Sequence, residues 1–182
     1  MSLPTLGALQ PLPVREHLDL LAAPVAAALA DWAHVDEVAV TAIDPALADT
    51  AALSEAYALP MTTGANCVVV SGKRAGEERV AACVVRADTR ADVNGFVKRT
   101  LDVRKCSFLP MERATEESGM EHGGITPAGL PAAWRVLVDA RVADIEVAVL
   151  GSGLRRSKLL VPGHLVAALP GAEQVDDLAL TP

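Results

Sequence analysis

Two Val-rich runs, Asn66–Ser71 and Arg79–Arg86, flank the polar stretch Gly72-Lys73-Arg74-Ala75-Gly76. Short β-branched runs on either side of a glycine-punctuated polar connection read as an antiparallel hairpin. A hairpin cannot be stable alone, so the rest of the chain must cover it. Upstream, Arg15–Ala22 and Pro24–Trp32 carry apolar residues at helical spacing, with Pro24 suited to a first turn. Val38–Ile43 reads as a strand, and Ala46–Leu59 as an Ala-rich helix stopped by Pro60. Downstream, Asp92–Leu101 and Met111–Ser118 read as helices, the second closed by Gly119, with a strand at Cys106–Leu109 between them. Apolar runs at Trp134–Val138, Ile145–Leu150 and Lys158–Val161 follow, then a short helix at His164–Leu169. Strands and helices are interspersed and several strands are hairpin-linked. The expected fold class is therefore α/β in the α+β sense: a mixed, largely antiparallel sheet flanked by helices. Residues 1–35 are expected to be an N-terminal helical extension and residues 36–182 the principal domain.

Hydrophobic residues form 51% of the chain but aromatics only 3%, so the core must be built from Ala, Val and Leu. No apolar run approaches the roughly 18 residues needed to cross a bilayer, and the longest, Leu18–Ala30, is broken by Asp19 and Pro24. Met1–Gln10 lacks the basic region and apolar core of a secretion signal. A cytosolic protein without a membrane partner is expected. Net charge of −7 argues against a grip on long nucleic acid such as DNA. Local basic clusters at Lys98, Arg99, Arg104 and Lys105, and at Arg155, Arg156 and Lys158, could hold a few phosphates or be solvated faces.

Cys67, Cys83 and Cys106 are isolated, which argues against a disulfide framework or a zinc site and for small buried hydrophobes. Cys67 and Cys106 gain interest only if the fold places one in a pocket. His17, His34, His122 and His164 have no metal-ligand spacing, so no metal or cofactor is expected. There is no Gly-x-Ser-x-Gly nucleophile elbow.

Two glycine-rich stretches could carry chemistry. In Gly123-Gly124-Ile125-Thr126-Pro127-Ala128-Gly129-Leu130-Pro131, glycine allows a ligand to approach bare amides while proline stiffens the path. A carbonyl-binding pocket needs such a loop, although composition alone favours an ordinary surface loop. Gly151-Ser152-Gly153, followed by Leu154-Arg155-Arg156-Ser157-Lys158, could hold a phosphate or a terminal ribose, or be a hairpin turn. It is neither a dinucleotide fingerprint nor a P-loop. His122 abuts the first loop and is otherwise a solvated residue. Asp139 ends a strand, where it could orient other groups or cap a turn.

In order and spacing, Thr115-Glu116-Glu117-Ser118-Gly119-Met120 leading into Gly123–Pro127, then Val138-Asp139, then Gly151-Ser152-Gly153 resemble the YbaK family of aminoacyl-tRNA editing domains. That family includes the insertion domain of bacterial prolyl-tRNA synthetases and its free-standing relatives. The resemblance spans about Ala46–Leu178 and centres on the Gly-x-x-x-Pro element Gly123–Pro127. It implies a trans-acting deacylase that hydrolyses the ester of mischarged tRNA. The partners implied are the acceptor end of tRNA and an aminoacyl-tRNA synthetase. Backbone groups and substrate hydroxyls would carry the chemistry more than a protein nucleophile would. Gly123, Gly124, Ile125 and Pro127, with His122, would shape the aminoacyl pocket. Gly151, Ser152 and Gly153 would form the wall facing it, with Asp139 and Arg156 also on the substrate. The family lysine at the start of the first hairpin strand is Asn66 here, and an expected acidic residue aligns at or near Lys158. Asn66 and Lys158 would hold the terminal adenosine or its phosphate. Either the charge has moved between strands or the pocket has been repurposed. The second alternative is a catalytically silent module that binds an amino acid, a nucleotide, tRNA or a synthetase. A hydrolase of some other small ester or amide is a third.

Overall fold

The computed structural model describes residues 2–181. In chain order the strands are β1 Leu12–Pro13, β2 Ala39–Ala42, β3 Ala65–Arg74, β4 Glu77–Arg86, β5 Arg90–Ala91, β6 Cys106–Phe108, β7 Arg135–Asp139, β8 Ala148–Gly151, β9 Ser157–Val161, β10 Ala172–Val175 and β11 Ala179–Leu180. The α-helices are α1 Ala23–Ala30, α2 Thr50–Ala56, α3 Lys98–Thr100, α4 Met111–Ser118, α5 Ala140–Ala143 and α6 Gly163–Val166.

The hairpin forms as β3 and β4, and it is longer than the sequence suggested. Its turn is only Ala75-Gly76, both with positive φ (51° and 87°), as a two-residue turn matching strand twist requires. Gly72 lies inside β3. There a Cβ would overlap the Lys105 carbonyl, so glycine admits the segment that leads into β6. Five strands form the larger sheet in the order β10-β7-β4-β3-β6, parallel from β10 to β4 and antiparallel beyond. A second, antiparallel sheet runs β1-β2-β9-β8. A bridge between Gly64 and Val149 joins the two sheets at the start of β3. The mixed architecture flanked by helices is the one that the alternation of runs implied.

Several local expectations change. Arg15–Ala22 is not a helix but two 3-10 turns, Val14–Glu16 and Leu18–Leu20, separated at His17. Tertiary bonds win there: the Leu20 carbonyl accepts from Ser157 Oγ, and the Ala22 amide donates to the Ser152 carbonyl. Val14, Leu21, Val25, Leu29 and Trp32 join Val40, Val138 and Leu159 in the main core, so this segment is part of the body of the fold. The Ala46–Leu59 run breaks into a 3-10 turn, Pro45–Leu47, and α2. Asp44 caps the first through the Ala46 amide, and Asp49 caps the second through the Ala51 amide. Asp92–Leu101 opens as a π-turn over Val93–Val97, because the Asp92 carboxylate accepts the Gly95 and Phe96 amides.

Asp139, at the end of β7, holds the C-terminal ribbon, in which β11 pairs antiparallel with β5. It is 2% exposed, accepts from Arg141 Nε at 2.8 Å and Nη2 at 3.0 Å, and takes the Ala179 amide at 2.8 Å. Burial alone would push its pKa up, but these hydrogen bonds outweigh it and hold the carboxyl below its usual range. Arg141 is partly exposed and can turn to water, but the buried Ala179 amide would lose its acceptor. Asp139→Ala is therefore expected to lower stability by about 2 kcal/mol, read as a lower urea midpoint.

Candidate functional site

The site is built where the two sheets meet. A cavity of about 300 Å3 opens between the start of β3, α2, the loop after α4, the end of β8 and the start of β9. Its apolar walls include Leu53, Leu59, Val68, Ile125, Val149 and Leu150. Polar groups are Asp49, Thr50, Ser54, Thr63, Asn66, His122 and Lys158. A pocket that is mostly apolar, with a few convergent polar groups, is the usual form of a small-ligand site.

One wall is a seam of bare backbone. The Gly153 amide donates to the Gly124 carbonyl at 2.7 Å, and the Glu121 amide to the Gly153 carbonyl at 2.8 Å. A Cβ on Gly124 would come within 2.9 Å of Gly153 and Leu154 main-chain atoms, and a Cβ on Gly151 would overlap the Gly124 carbonyl. Glycine is required at both because two chains touch through their main chains. Arg155 ties the seam to its surroundings. Its guanidinium donates to the carbonyls of His122 (3.0 Å) and Pro45 (3.1 Å), and its amide donates to Glu121 Oε2 at 2.6 Å. The amides of Gly123 and Ile125, both cavity-wall residues, donate to no main-chain carbonyl among the described residues.

Lys158, the second residue of β9, brings a cation into this wall. It is only 6% exposed, and its Nζ donates to the carbonyls of Ala48 at 2.8 Å and Gly123 at 3.4 Å. Burial, reinforced by repulsion from Arg155 and opposed by Asp49, pushes its pKa down to about 8. Across the cavity, Asn66 Oδ1 accepts from Thr50 Oγ1 at 2.9 Å, which leaves its amide N–H groups as donors. Cys67 also lines the cavity, but burial pushes its thiol up, away from a reactive thiolate. Among the described residues no group of three His, Cys, Asp or Glu could hold a metal ion. No helix there is long and apolar enough to cross a membrane.

The family model for the aminoacyl-tRNA editing domain matches residues 44–168. The chain belongs to that family. No curated protein sequence matches it. Among solved structures, one described as a candidate trans-editing enzyme for prolyl tRNA synthetase superposes with a TM-score of 0.71 at 18% identity. It covers 85% of this chain and 94% of its own. The hypothetical protein APE2540 superposes with a TM-score of 0.63 at 20% identity, covering 73% and 85%. At such identities the likeness concerns the fold alone.

In this editing domain the residues singled out from sequence separate into two groups. Asn66, His122, Gly123, Ile125, Gly151 and Lys158 line the cavity. Gly124 and Gly153 lie directly behind it in the seam, and Pro127 is buried in the loop. The two glycine stretches do not face each other across the cavity. They touch and share one wall, because main-chain hydrogen bonds draw them together. Ser152 is fully buried and holds its turn through the Ser157 carbonyl and hydroxyl. Asp139 is outside the cavity, anchoring the ribbon, and Arg156 Nη2 donates to the Asp19 carbonyl. Sequence reasoning passed over Asp49, Thr50, Ser54, Thr63 and Gly64. The Asp49-Thr50 pair is an N-cap signal inside an Ala-rich run, and it could have marked the helix start that faces the site.

A lysine whose folded pKa is depressed binds fewer protons than it does unfolded between about pH 8 and its ordinary range near 10.5. Stability therefore rises with pH across that window. Lys158→Met is expected to abolish this rise and to gain on the order of 2 kcal/mol at pH 7, measured by urea unfolding from pH 7 to 10.

Proposed function

We propose that this editing domain is a trans-acting aminoacyl-tRNA deacylase that hydrolyses the ester of mischarged tRNA in the cavity between β3 and β9. The observation that carries the reading is the buried Lys158 ammonium resting on the signature loop, beside main-chain amides that no protein carbonyl claims. Such a site suits an oxyanion. Fixed donors in a partly dry pocket stabilise charge as it develops and need no reorganisation.

An aminoacyl ester is already activated, so a positioned water can attack its carbonyl without a protein nucleophile. The water oxygen bonds to the carbonyl carbon, and the carbonyl oxygen takes negative charge beside the Gly123 and Ile125 amides and Lys158. Collapse of this intermediate breaks the ester C–O bond. One proton of the attacking water passes, through the neighbouring ribose hydroxyl, to the departing ribose oxygen, which leaves as a hydroxyl. The other goes to solvent as the amino acid departs as its carboxylate. Asn66 donates to the ribose or its phosphate, and Asp49 and Thr50 complete the polar rim. A volume of about 300 Å3 lies at the small end of ligand pockets and has to hold part of the ribose too. With apolar walls, it favours a small, uncharged amino acid side chain.

Relative to the sequence pattern of active relatives, the cation stands on β9 and an amide on β3. Lys158 supplies from one wall what the family lysine supplies from the other. The competing silent-module reading draws on the same exchange, and the two separate by assay. Incubation with a panel of mischarged tRNAs is expected to show ester loss well above buffer for at least one amino acid. No acceleration at any amino acid overturns the enzymatic reading.

Two variants sharpen the test. Lys158→Met is expected to lower kcat/KM roughly 100-fold, the scale of losing one oxyanion donor. Because kcat/KM reports the free enzyme, the wild-type to Lys158→Met ratio should fall as pH rises through about 8 and Lys158 loses its proton. Asn66→Lys adds a second cation to the same cavity and is expected to reduce activity. A gain from a silent parent instead identifies a module that lost its function.

A further inference from the structure

The edge strand of the larger sheet presents a surface that the cavity does not use. β6 pairs with β3 on one side, and among the described residues no strand pairs with its other edge. In a chain with so few aromatics, Phe108 at the end of β6 is 64% exposed, and Met111, just beyond it, is 50% exposed. Upstream, Arg104 and Lys105 are exposed and enter no ion pair among the described residues, whereas Arg74, Arg79, Arg113 and Arg135 are all paired. No acidic side chain occurs from Arg104 to Met111, although the whole chain carries −7.

Register gives the strip a direction. Phe108 lies opposite Val70, Ser107 opposite Ser71 and Cys106 opposite Gly72, so the cavity lies beyond the C-terminal end of β6. Phe108 is the diagonal cross-strand neighbour of Val68, a cavity-wall residue, and such neighbours are about 7–8 Å apart. Arg104 and Lys105 lie in the bend that leads into β6, on the side of Phe108 away from the cavity. Moving outward from the cavity, a ligand meets an aromatic face first and then two free cations. That order suits single-stranded RNA, whose bases stack on aromatic rings while basic side chains follow the backbone.

We infer that the Arg104–Met111 edge is a track for the unpaired nucleotides preceding the terminal aminoacyl-adenosine. Phe108 stacks one of their bases, and Lys105 and Arg104 meet the phosphates behind it. The inference rests on the deacylase reading for which end of the strand enters the cavity, but its test does not need turnover.

The test is fluorescence anisotropy of a labelled single-stranded RNA heptamer with the tRNA acceptor-end sequence, beside kcat/KM on mischarged tRNA and on aminoacyl-adenosine alone. Phe108→Ala and Phe108→Leu are expected to weaken heptamer binding roughly tenfold, and Phe108→Trp to restore it. Arg104→Gln with Lys105→Gln should reduce the salt slope by roughly 0.7 for each phosphate that is no longer neutralised. Hydrolysis of aminoacyl-adenosine should be unchanged in all of them, since that substrate has no preceding nucleotide. Phe108 is exposed, so its variants should keep the parent's melting temperature. The inference is overturned by an unmodified protein that does not bind the heptamer, or by Phe108→Ala binding like its parent; the latter leaves the exposed ring to a protein contact. Heptamer binding that depends on Phe108 without deacylation sustains the inference and removes the deacylase reading. Deacylation of tRNA indifferent to Phe108 does the reverse.

Discussion

The structure depends on two stretches of main chain lying against each other with no side chains between them. The seam of Gly124 against Gly151 and Gly153 fixes the loop after α4 onto the β8–β9 turn. It brings Gly123 and Ile125 to the cavity wall and places the Gly123 carbonyl within reach of Lys158. A methyl group at Gly151 would push the two stretches apart, and the wall would lose its shape. Glycine serves here for close approach more than for flexibility, and Pro127 limits what freedom remains.

The proposed deacylase would do its ester chemistry with little conventional machinery. The thiol nearest the chemistry, Cys67, is held protonated by burial, and the buried hydroxyl of Ser152 is committed to its own turn. What the proposal leaves for the reaction is the uncommitted Gly123 and Ile125 amides and the Lys158 cation. The cost falls on Lys158, whose charge is buried without a carboxylate within salt-bridge distance among the described residues. A residue that weakens the fold in order to serve a site is a familiar exchange between stability and function.

Much of this was legible in the amino-acid order. The hairpin showed itself because Val-rich runs meet a polar, glycine-containing turn, and Gly123–Pro127 because its Gly-x-x-x-Pro spacing matches the family pattern. Asn66 and Lys158 stood out against the family pattern, and both line the cavity. What stayed hidden depended on contacts distant in sequence. An Ala-rich run hides its own break, and only the Asp49 cap shows that α2 starts anew at Thr50. β10 is a polar edge strand, Ala-Glu-Gln-Val, with no apolar run to betray it. Asp139 looked the same whether it touched substrate or a capped turn, and its partner Ala179 is forty residues away. That the two glycine stretches share a wall follows from hydrogen bonds that no local pattern encodes.

The central claim is that the shared wall receives an aminoacyl ester. The most direct measurement is a crystal structure with an amide-linked, non-hydrolysable aminoacyl-adenosine analogue. The account predicts the aminoacyl group in the β3–β9 cavity, its carbonyl oxygen within hydrogen-bond distance of the Gly123 or Ile125 amide and close to Lys158 Nζ. An analogue seated elsewhere, or one in the cavity with its carbonyl turned away from the seam, would contradict it.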